Sequence, residues 1–315
     1  MSGIYRGQTV AVVYGGLSNE REVSLKTGAA IIEALETLGY TLAPIDAGRD
    51  LPAQLRASGA AVVFNALHGT FGEDGRIQGM LDWMGLPYTG EGIRSSLLAF
   101  DKALAKKAYR EAGVPVADDV VWPAADAVLK SADNLPFDLP VAVKPVAEGS
   151  SVGVTLVHEE AAFAQAMKAA ATGPVMVEVL VTGPEISVVC LGDEALGCVE
   201  IEPLRDFYDY EAKYGSAGTR YHVPPRLTPG QMASVETVGL AAHRALGCTS
   251  VTRSDVILGE DGPIVLETNT LPGMTASSLV PKVAAARGIE FPELIERILD
   301  LADFGPRSQG GTHGA

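Results

Sequence analysis

The chain is poor in cysteine, in aromatic residues and in positive charge, and each shortage closes off a class of function. Its three cysteines, Cys190, Cys198 and Cys248, lack metal-ligand spacing and sit in apolar runs, so they read as reduced core thiols rather than a zinc site or a disulfide framework. With 24 Lys and Arg against 39 Asp and Glu the formal charge is −15, which excludes a broad nonspecific surface for nucleic acid or anionic membrane. Net charge says nothing about a single basic cleft. No apolar run approaches the length of a membrane span and the N-terminal MSGIYRGQ lacks the apolar stretch of a signal peptide, so the expected compartment is the cytoplasm. No GxGxxG follows the first strand and no GxxxxGK[ST] opens a helix, which argues against a nicotinamide-dependent oxidoreductase and a Walker-type nucleotidase. What remains is 315 residues, 47% hydrophobic: enough for two or three domains with sizeable cores.

The most informative stretch is CTSVTRSDVILGEDGPIVLETNTLPGMT, from Cys248 to Thr275. Two apolar runs, Val251–Leu258 and Ile264–Asn269, flank Gly-Glu-Asp-Gly and predict a hairpin. A three-residue loop with Gly262 in the left-handed position pairs Gly259 with Pro263, Asp255 with Glu267 and Arg253 with Asn269. Alternation then puts those last four residues on one face and turns Val256, Leu258, Ile264 and Leu266 to the core. Two carboxylates about 4 Å apart repel by roughly 4 kcal/mol at an effective dielectric near 20. A cation removes that cost, and an oxygen set of two acids and an amide suits Mg²⁺. The plainer alternative is a surface hairpin with solvated charges.

The N-terminal third reads as βαβ with a parallel sheet: strand Thr9–Tyr14, a Gly15-Gly16 turn, a helix Leu25–Leu38 capped by Ser24, and strands Thr41–Ile45 and Ala60–Asn65. Ligands bind at the carboxyl ends of such strands, where Glu20-Arg21-Glu22 and His68-Gly69 fall. Glu20 alone is as well explained as a solvated loop acid. Gly75–Met84 and Ser95–Ala112 read as helices; the second carries Lys102 and, on what reads as a solvated face, Lys106 and Lys107. A smaller α+β unit follows, with strand Leu139–Lys144, the loop Glu148-Gly149-Ser150-Ser151, strand Val152–Val157, helix Glu160–Ala171 and strand Val175–Leu180. That loop is either a hairpin turn or a flexible set of N–H and hydroxyl groups that closes over phosphate, with Lys144 beside it favouring phosphate. Beyond a hinge at Thr182-Gly183-Pro184 come a strand Glu185–Leu191 and a long tyrosine-rich loop Arg205–Val223. A connection of that length is either functional or disordered. Helices Thr228–Leu246, Ser277–Ala286 and Phe291–Leu301 close the fold, before a low-complexity tail expected to be disordered.

GGLSNEREVSL, ALHGTFGEDG, VKPVAEGSSVG, FYDYEAKY, TRSDV and LETNTLPGMT, in this order, resemble the D-alanine–D-alanine ligase family of the ATP-grasp superfamily, over roughly Thr9 to Ala302. The resemblance implies an α/β (α+β) ATP-grasp fold: a Rossmann-like parallel-sheet domain (1–101) holding the first D-alanine, a small central α+β domain (102–182) with the phosphate loop, a C-terminal mixed-sheet domain (183–304) with the metal and catalytic residues, and a tail (305–315). It implies ATP-driven joining of two D-alanines for peptidoglycan precursors, and relatives of this kind are often homodimers.

By the same resemblance, Asp255, Glu267 and Asn269 hold two Mg²⁺ ions, with Mn²⁺ as a substitute. Lys102, Lys144 and Lys213 meet the phosphates beside the loop of Glu148, Ser150 and Ser151; Glu178, Val179 and Val181 hold the adenine; Glu185 holds the ribose. Glu20 binds the ammonium of the first D-alanine, His68 lies near its carboxylate, and Ser150 and Tyr214 join Glu20 in locking the site closed. Ser278 and the Leu279 backbone take the carboxylate of the second D-alanine, while Arg253 and the Gly273 N–H stabilise the tetrahedral oxyanion. Val179 stands where many relatives carry Lys, and Tyr214, rather than the Phe of depsipeptide-forming relatives, favours the dipeptide. The competing readings are an ATP-grasp ligase for another acid or amine, such as D-lactate, and an ATP-binding regulator without turnover.

Overall fold

A computed structural model describes residues 3–149, 153–203 and 218–304. Ser150, Ser151, Lys213, Tyr214 and the 305–315 tail lie outside the described residues. The chain opens with β1 (Thr9–Tyr14), α1 (Arg21–Thr37), β2 (Thr41–Asp46), α2 (Leu51–Ser58) and β3 (Val62–Asn65). The three strands form a parallel sheet in the order β2-β1-β3. Val10 to Val13 are fully buried, because helices cover both faces, and the strand is therefore a continuous apolar run rather than an alternating one. Helix α2 was not foreseen; it supplies the crossover that a parallel β2–β3 connection requires. Helix α1 starts at Arg21 rather than Leu25, so Ser24 is not its cap. Its buried hydroxyl instead accepts from Gly15 N–H at 2.8 Å and donates to Ala66 O at 2.7 Å, tying the ends of β1 and β3 together.

Helices α3 (Arg76–Met84), α4 (Ile93–Phe100) and α5 (Lys102–Glu111) follow. The single helix expected over Ser95–Ala112 is two, broken at Asp101. The Asp101 carboxylate accepts from the N–H groups of Ala103 and Leu104, both at 2.9 Å, and so caps α5. Next come β4 (Asp119–Trp122), α6 (Ala124–Ala127), β5 (Val141–Pro145), β6 (Thr155–Val157), α7 (Glu160–Ala170) and β7 (Val175–Val179). These strands form an antiparallel sheet, β4-β7-β5-β6, over a core of its own that includes Val141, Val143, Phe163, Met167 and Val177.

The last sheet joins β8 (Glu185–Leu191), β9 (Glu194–Pro203), β10 (Thr219–His222), β11 (Val251–Gly259) and β12 (Gly262–Asn269) in the order β10-β9-β8-β11-β12. It is antiparallel throughout the described residues, not mixed as expected. Strand β10 occupies the end of the segment read as a loop. Helix α8 (Pro229–Ala245), capped by a reciprocal Thr228–Gln231 pair, lies on this sheet, and α9 (Leu279–Ala286) and α10 (Phe291–Asp300) complete the chain. Val10, Val12 and Ile31 of the first unit share one core with Val189, Val199 and Val251 of the last sheet and with Val280 and Leu294 of the closing helices.

The β11–β12 hairpin reaches the expected pairing by another route. Gly259 pairs with Gly262 across a two-residue turn, and a bulge between Asp255 and Val256 restores the pairs Asp255–Glu267 and Arg253–Asn269. The bulge inverts the alternation of β12 beyond it. Val265, not Ile264 or Leu266, joins Val256 in the core, and Leu266 lines the same cavity as Glu267.

Candidate active site

A cavity of about 780 Å³ opens between the two antiparallel sheets. Ala142, Lys144, Leu156 and Glu178 line it from β5, β6 and β7; Asp255, Ile257, Leu266 and Glu267 line it from the hairpin; Val179 to Glu185 connect the two walls. All the described residues expected to hold a nucleotide are in its lining: Lys102, Lys144, Glu148, Glu178, Val179, Val181 and Glu185. Apolar walls with charge confined to a few positions suit a flat base joined to a polyanion.

The charge pattern centres on Glu178, which is 5% exposed. One carboxylate oxygen lies 2.5 Å from Lys144 Nζ and the other 2.7 Å from Lys106 Nζ. Burial alone would raise this carboxyl, but Lys144 and Lys106 outweigh it and hold it below the usual range. The solvated-face reading of Lys106 is thus overturned: the side chain is buried and also lies 3.1 Å from Asp119, while neighbouring Lys107 is exposed as expected. Asp119 sits directly opposite Glu178 across β4 and β7, so two adjacent acids draw the lysine inward, and Arg110 pairs with Asp119 from outside. Lys102 bridges the cavity: its Nζ donates to Glu148 O at 2.7 Å and stands 3.5 Å from Glu267.

On the hairpin, Asp255 is buried and receives Ser187 Oγ at 2.5 Å and Arg253 Nε at 2.9 Å on Oδ1, with Arg253 Nη2 at 2.8 Å on Oδ2. Asn269 Oδ1 accepts from Leu271 N–H at 3.0 Å. Asp255 and Glu267 are cross-strand neighbours facing one cavity, a hard-oxygen pair that fits Mg²⁺, with Asn269 two residues further along β12.

A second constellation forms at the ends of β1 and β3. Glu20 lies against two glycines: a β-carbon on Gly69 would stand 2.3 Å from Glu20 Oε2, and one on Gly149 3.2 Å from it. The structure therefore brings Glu20 to the edge of the Glu148–Gly149 loop. His68, next to Gly69 in sequence, is buried, with Nε2 3.1 Å from Thr27 Oγ1 and Nδ1 3.5 Å from Glu73. A β-carbon on Gly273 would stand 2.9 Å from Ser278 Oγ, so these two are neighbours as well. Ser278 Oγ accepts from Thr275 N–H at 3.0 Å, and Leu279 opens α9, where backbone N–H groups lack helical partners.

Glu200, Glu202 and Arg226, for which the sequence raised no expectation of a site, also line the cavity. Arg226 Nη2 donates to Glu200 at 2.6 Å and Nη1 to Glu202 at 3.2 Å, while His222 Nε2 lies 2.8 Å from Glu202. Alternation about Ile201 was the available signal for the two acids. Away from the cavity, Glu91, His243 and Cys248 cluster in the core. Glu91 accepts from the N–H groups of Thr249 and Ser250 at 2.8 and 2.9 Å, stitching the segment after β3 to the start of β11. All three cysteines are buried and unpaired, as expected.

Residues 109–300 match the family described as D-ala D-ala ligase C-terminus, and residues 49–91 match D-ala D-ala ligase N-terminus. D-alanine–D-alanine ligase of Anaeromyxobacter sp. (strain K) is 50% identical over 301 residues, 95% of this chain and 98% of that protein. The ligase of Geotalea uraniireducens (strain Rf4) is 46% identical over 93% of this chain and 95% of its own length. Among solved structures, D-alanine–D-alanine ligase from Bacillus anthracis superposes with a TM-score of 0.80 at 32% identity, covering 94% of this chain and 97% of that one. The same enzyme complexed with ATP gives a TM-score of 0.80 at 29% identity over the same shares.

Proposed function

We propose that this chain, which belongs to the D-alanine–D-alanine ligase family, joins two D-alanines into D-alanyl-D-alanine at the expense of ATP, releasing ADP and phosphate. The dipeptide serves peptidoglycan precursor synthesis, and the work is done in the cytoplasm. The observation that carries the reading is the cavity in which Lys102, Lys144, Asp255 and Glu267 converge beside an apolar slot that holds Glu178.

The base of ATP enters the slot, and the lysines face its phosphates. Asp255, Glu267 and Asn269 would hold Mg²⁺, or Mn²⁺ in its place, which supplies charge neutralisation at the phosphates. Ser150, Ser151 and Lys213 are assigned to the same phosphate end by family likeness. Glu20 takes the ammonium of the first D-alanine, with His68 near its carboxylate. That carboxylate attacks the γ-phosphate in line, forming an acyl phosphate and releasing ADP. Ser278 Oγ and the Leu279 N–H hold the carboxylate of the second D-alanine. Its amine attacks the acyl carbon; Arg253 and the Gly273 N–H stabilise the developing oxyanion, and phosphate leaves. Tyr214 and Ser150 are assigned, by family likeness, to the hydrogen-bonded set that includes Glu20.

The test is ADP release by the purified protein with ATP and Mg²⁺, comparing D-alanine, L-alanine, and D-alanine with D-lactate, with the mass of each product. Turnover with D-alanine and a dipeptide mass is expected. Turnover only with another acid or amine would move the assignment within the superfamily, and ATP binding without ADP release under every condition would make the chain a regulator.

A further inference from the structure

Glu178 meets two lysines that occupy different ground. Lys144 lines the cavity from β5; Lys106 does not, and reaches the carboxylate from α5 on the β4 side of Glu178. Lys106 is also held by Asp119 at 3.1 Å, which itself pairs with Arg110, so it is anchored on the far side of Glu178. A ligand polyanion in the cavity competes for Lys144 but has no access to Lys106.

An ionised carboxylate in an apolar slot only accepts hydrogen bonds. It therefore matches a base edge that donates, such as the 6-amino group of a purine, and repels the carbonyl of a 6-oxo purine. That match holds only while Glu178 stays ionised and aimed at the slot. If Lys144 turns to the phosphates, an unpaired buried carboxylate would take up a proton and become a donor.

We propose that Lys106 is a positioning residue for nucleotide recognition, keeping Glu178 charged and oriented toward a 6-amino purine once Lys144 engages the phosphates. The inference rests on the reading that the cavity takes ATP. It assigns the two lysines separate tasks: Lys144 serves the phosphates and Lys106 the base, through Glu178.

The experiment compares ATP with inosine triphosphate, which differs only at the purine edge, in the wild type, Lys106→Met, Glu178→Gln and the double variant. In Lys106→Met the KM for ATP is expected to rise about 10- to 100-fold, the size of losing one partner of a buried charge pair. The KM for inosine triphosphate should move far less, and kcat at saturating ATP and the KM for D-alanine should stay near wild type. In the Glu178→Gln background Lys106→Met should add no further loss of discrimination. The double variant removes both charges together, which keeps the comparison open if the single variant folds poorly. Equal rises in KM for both nucleotides, an unchanged ATP KM, or additive losses in the double variant would each overturn the inference. A wild type indifferent to the two nucleotides would instead overturn the base-binding reading of Glu178.

Discussion

Arg253 grips Asp255 from two positions away on the same strand, with Nε 2.9 Å from one carboxylate oxygen and Nη2 2.8 Å from the other. The planar fork matches both oxygens at once, which a lysine ammonium does not. In Arg253→Lys, kcat for ADP release with D-alanine is expected to fall about 100-fold, the usual cost of removing one oxyanion donor. ATP affinity, measured by calorimetry, should barely move. A variant with near wild-type kcat would remove Arg253 from the chemistry.

Gly69 has φ +67° and no room for a side chain against Glu20. In Gly69→Ala the left-handed backbone costs about 1–2 kcal/mol and the new methyl group pushes the carboxylate aside. The KM for the first D-alanine should rise while the KM for ATP holds. Gly149→Ala, where the approach is 3.2 Å, should show a weaker version of the same split. Steady-state kinetics on both variants decide it, and an effect on ATP alone would detach Glu20 from amino-acid binding.

Burial pushes the Glu91 carboxyl from its ordinary 4.5 up to about 7, against the opposing pull of the Thr249 and Ser250 N–H groups. A folded value above the unfolded one gives stability that is fully present below pH 4.5 and lost as pH rises through 7, a swing of about 3 kcal/mol. His243, which burial pushes down from 6.5 to about 4, acts with the opposite sign: its contribution is present above pH 6.5 and lost as pH falls through 4. The two slopes oppose each other in the acid range and flatten the wild-type profile. Glu91→Gln removes one of them. Urea unfolding at pH 5 and pH 8 should show the variant gaining about 2–3 kcal/mol on the wild type between the two. A stability difference that is the same at both pH values would refute this origin.

Helix α8 touches β8 through Gly239, where an added β-carbon would stand 2.5 Å from the buried Val188 Cβ. Alanine gains about 1 kcal/mol in helix propensity but overpacks a stiff β-branched contact, which costs about 1–3 kcal/mol. The clash is expected to win. Gly239→Ala should lower the thermal midpoint by a few degrees without changing the KM for either substrate, as scanning calorimetry and kinetics would show.

How far these residues speak for themselves depends on whether their partners are near in sequence. The Asp255–Glu267 pair is legible because a hairpin is local and strand alternation carries its faces. Even there, the two-residue turn and its compensating bulge were not, since either loop length brings the same acids together. Lys106 and Lys107 are indistinguishable in KALAKKAY; what separates them is Asp119 and Glu178, on strands that reach α5 only in the folded chain. The break at Asp101 did carry a signal, an acid ahead of a helical run, but the apolar periodicity running through it masked the cap. The early start of α1 carried none, because no side chain caps it. Ser254 and Thr268, unusual as core residues, become intelligible only with Tyr109, whose hydroxyl donates to Thr268 Oγ1 at 2.8 Å while Ser254 Oγ lies 2.8 Å from the same atom.

The core that Val10, Val12 and Ile31 share with Val280, Leu294 and Leu299 has a bearing on how the chain comes off the ribosome. Tyr88, buried at the edge of the parallel sheet, exchanges backbone hydrogen bonds with Asp303 in both directions, so even that edge waits for the closing residues. The nascent N-terminal unit must therefore emerge with an apolar face uncovered and keep it so until α9 and α10 are made. The central sheet, whose core is drawn from its own segment, has no such delay. Synthesis order and assembly order consequently diverge: the middle of the chain is able to settle first, and the face of the first sheet that carries Val10 and Val12 last, in the interval when exposed apolar surface is most open to chaperones or to aggregation.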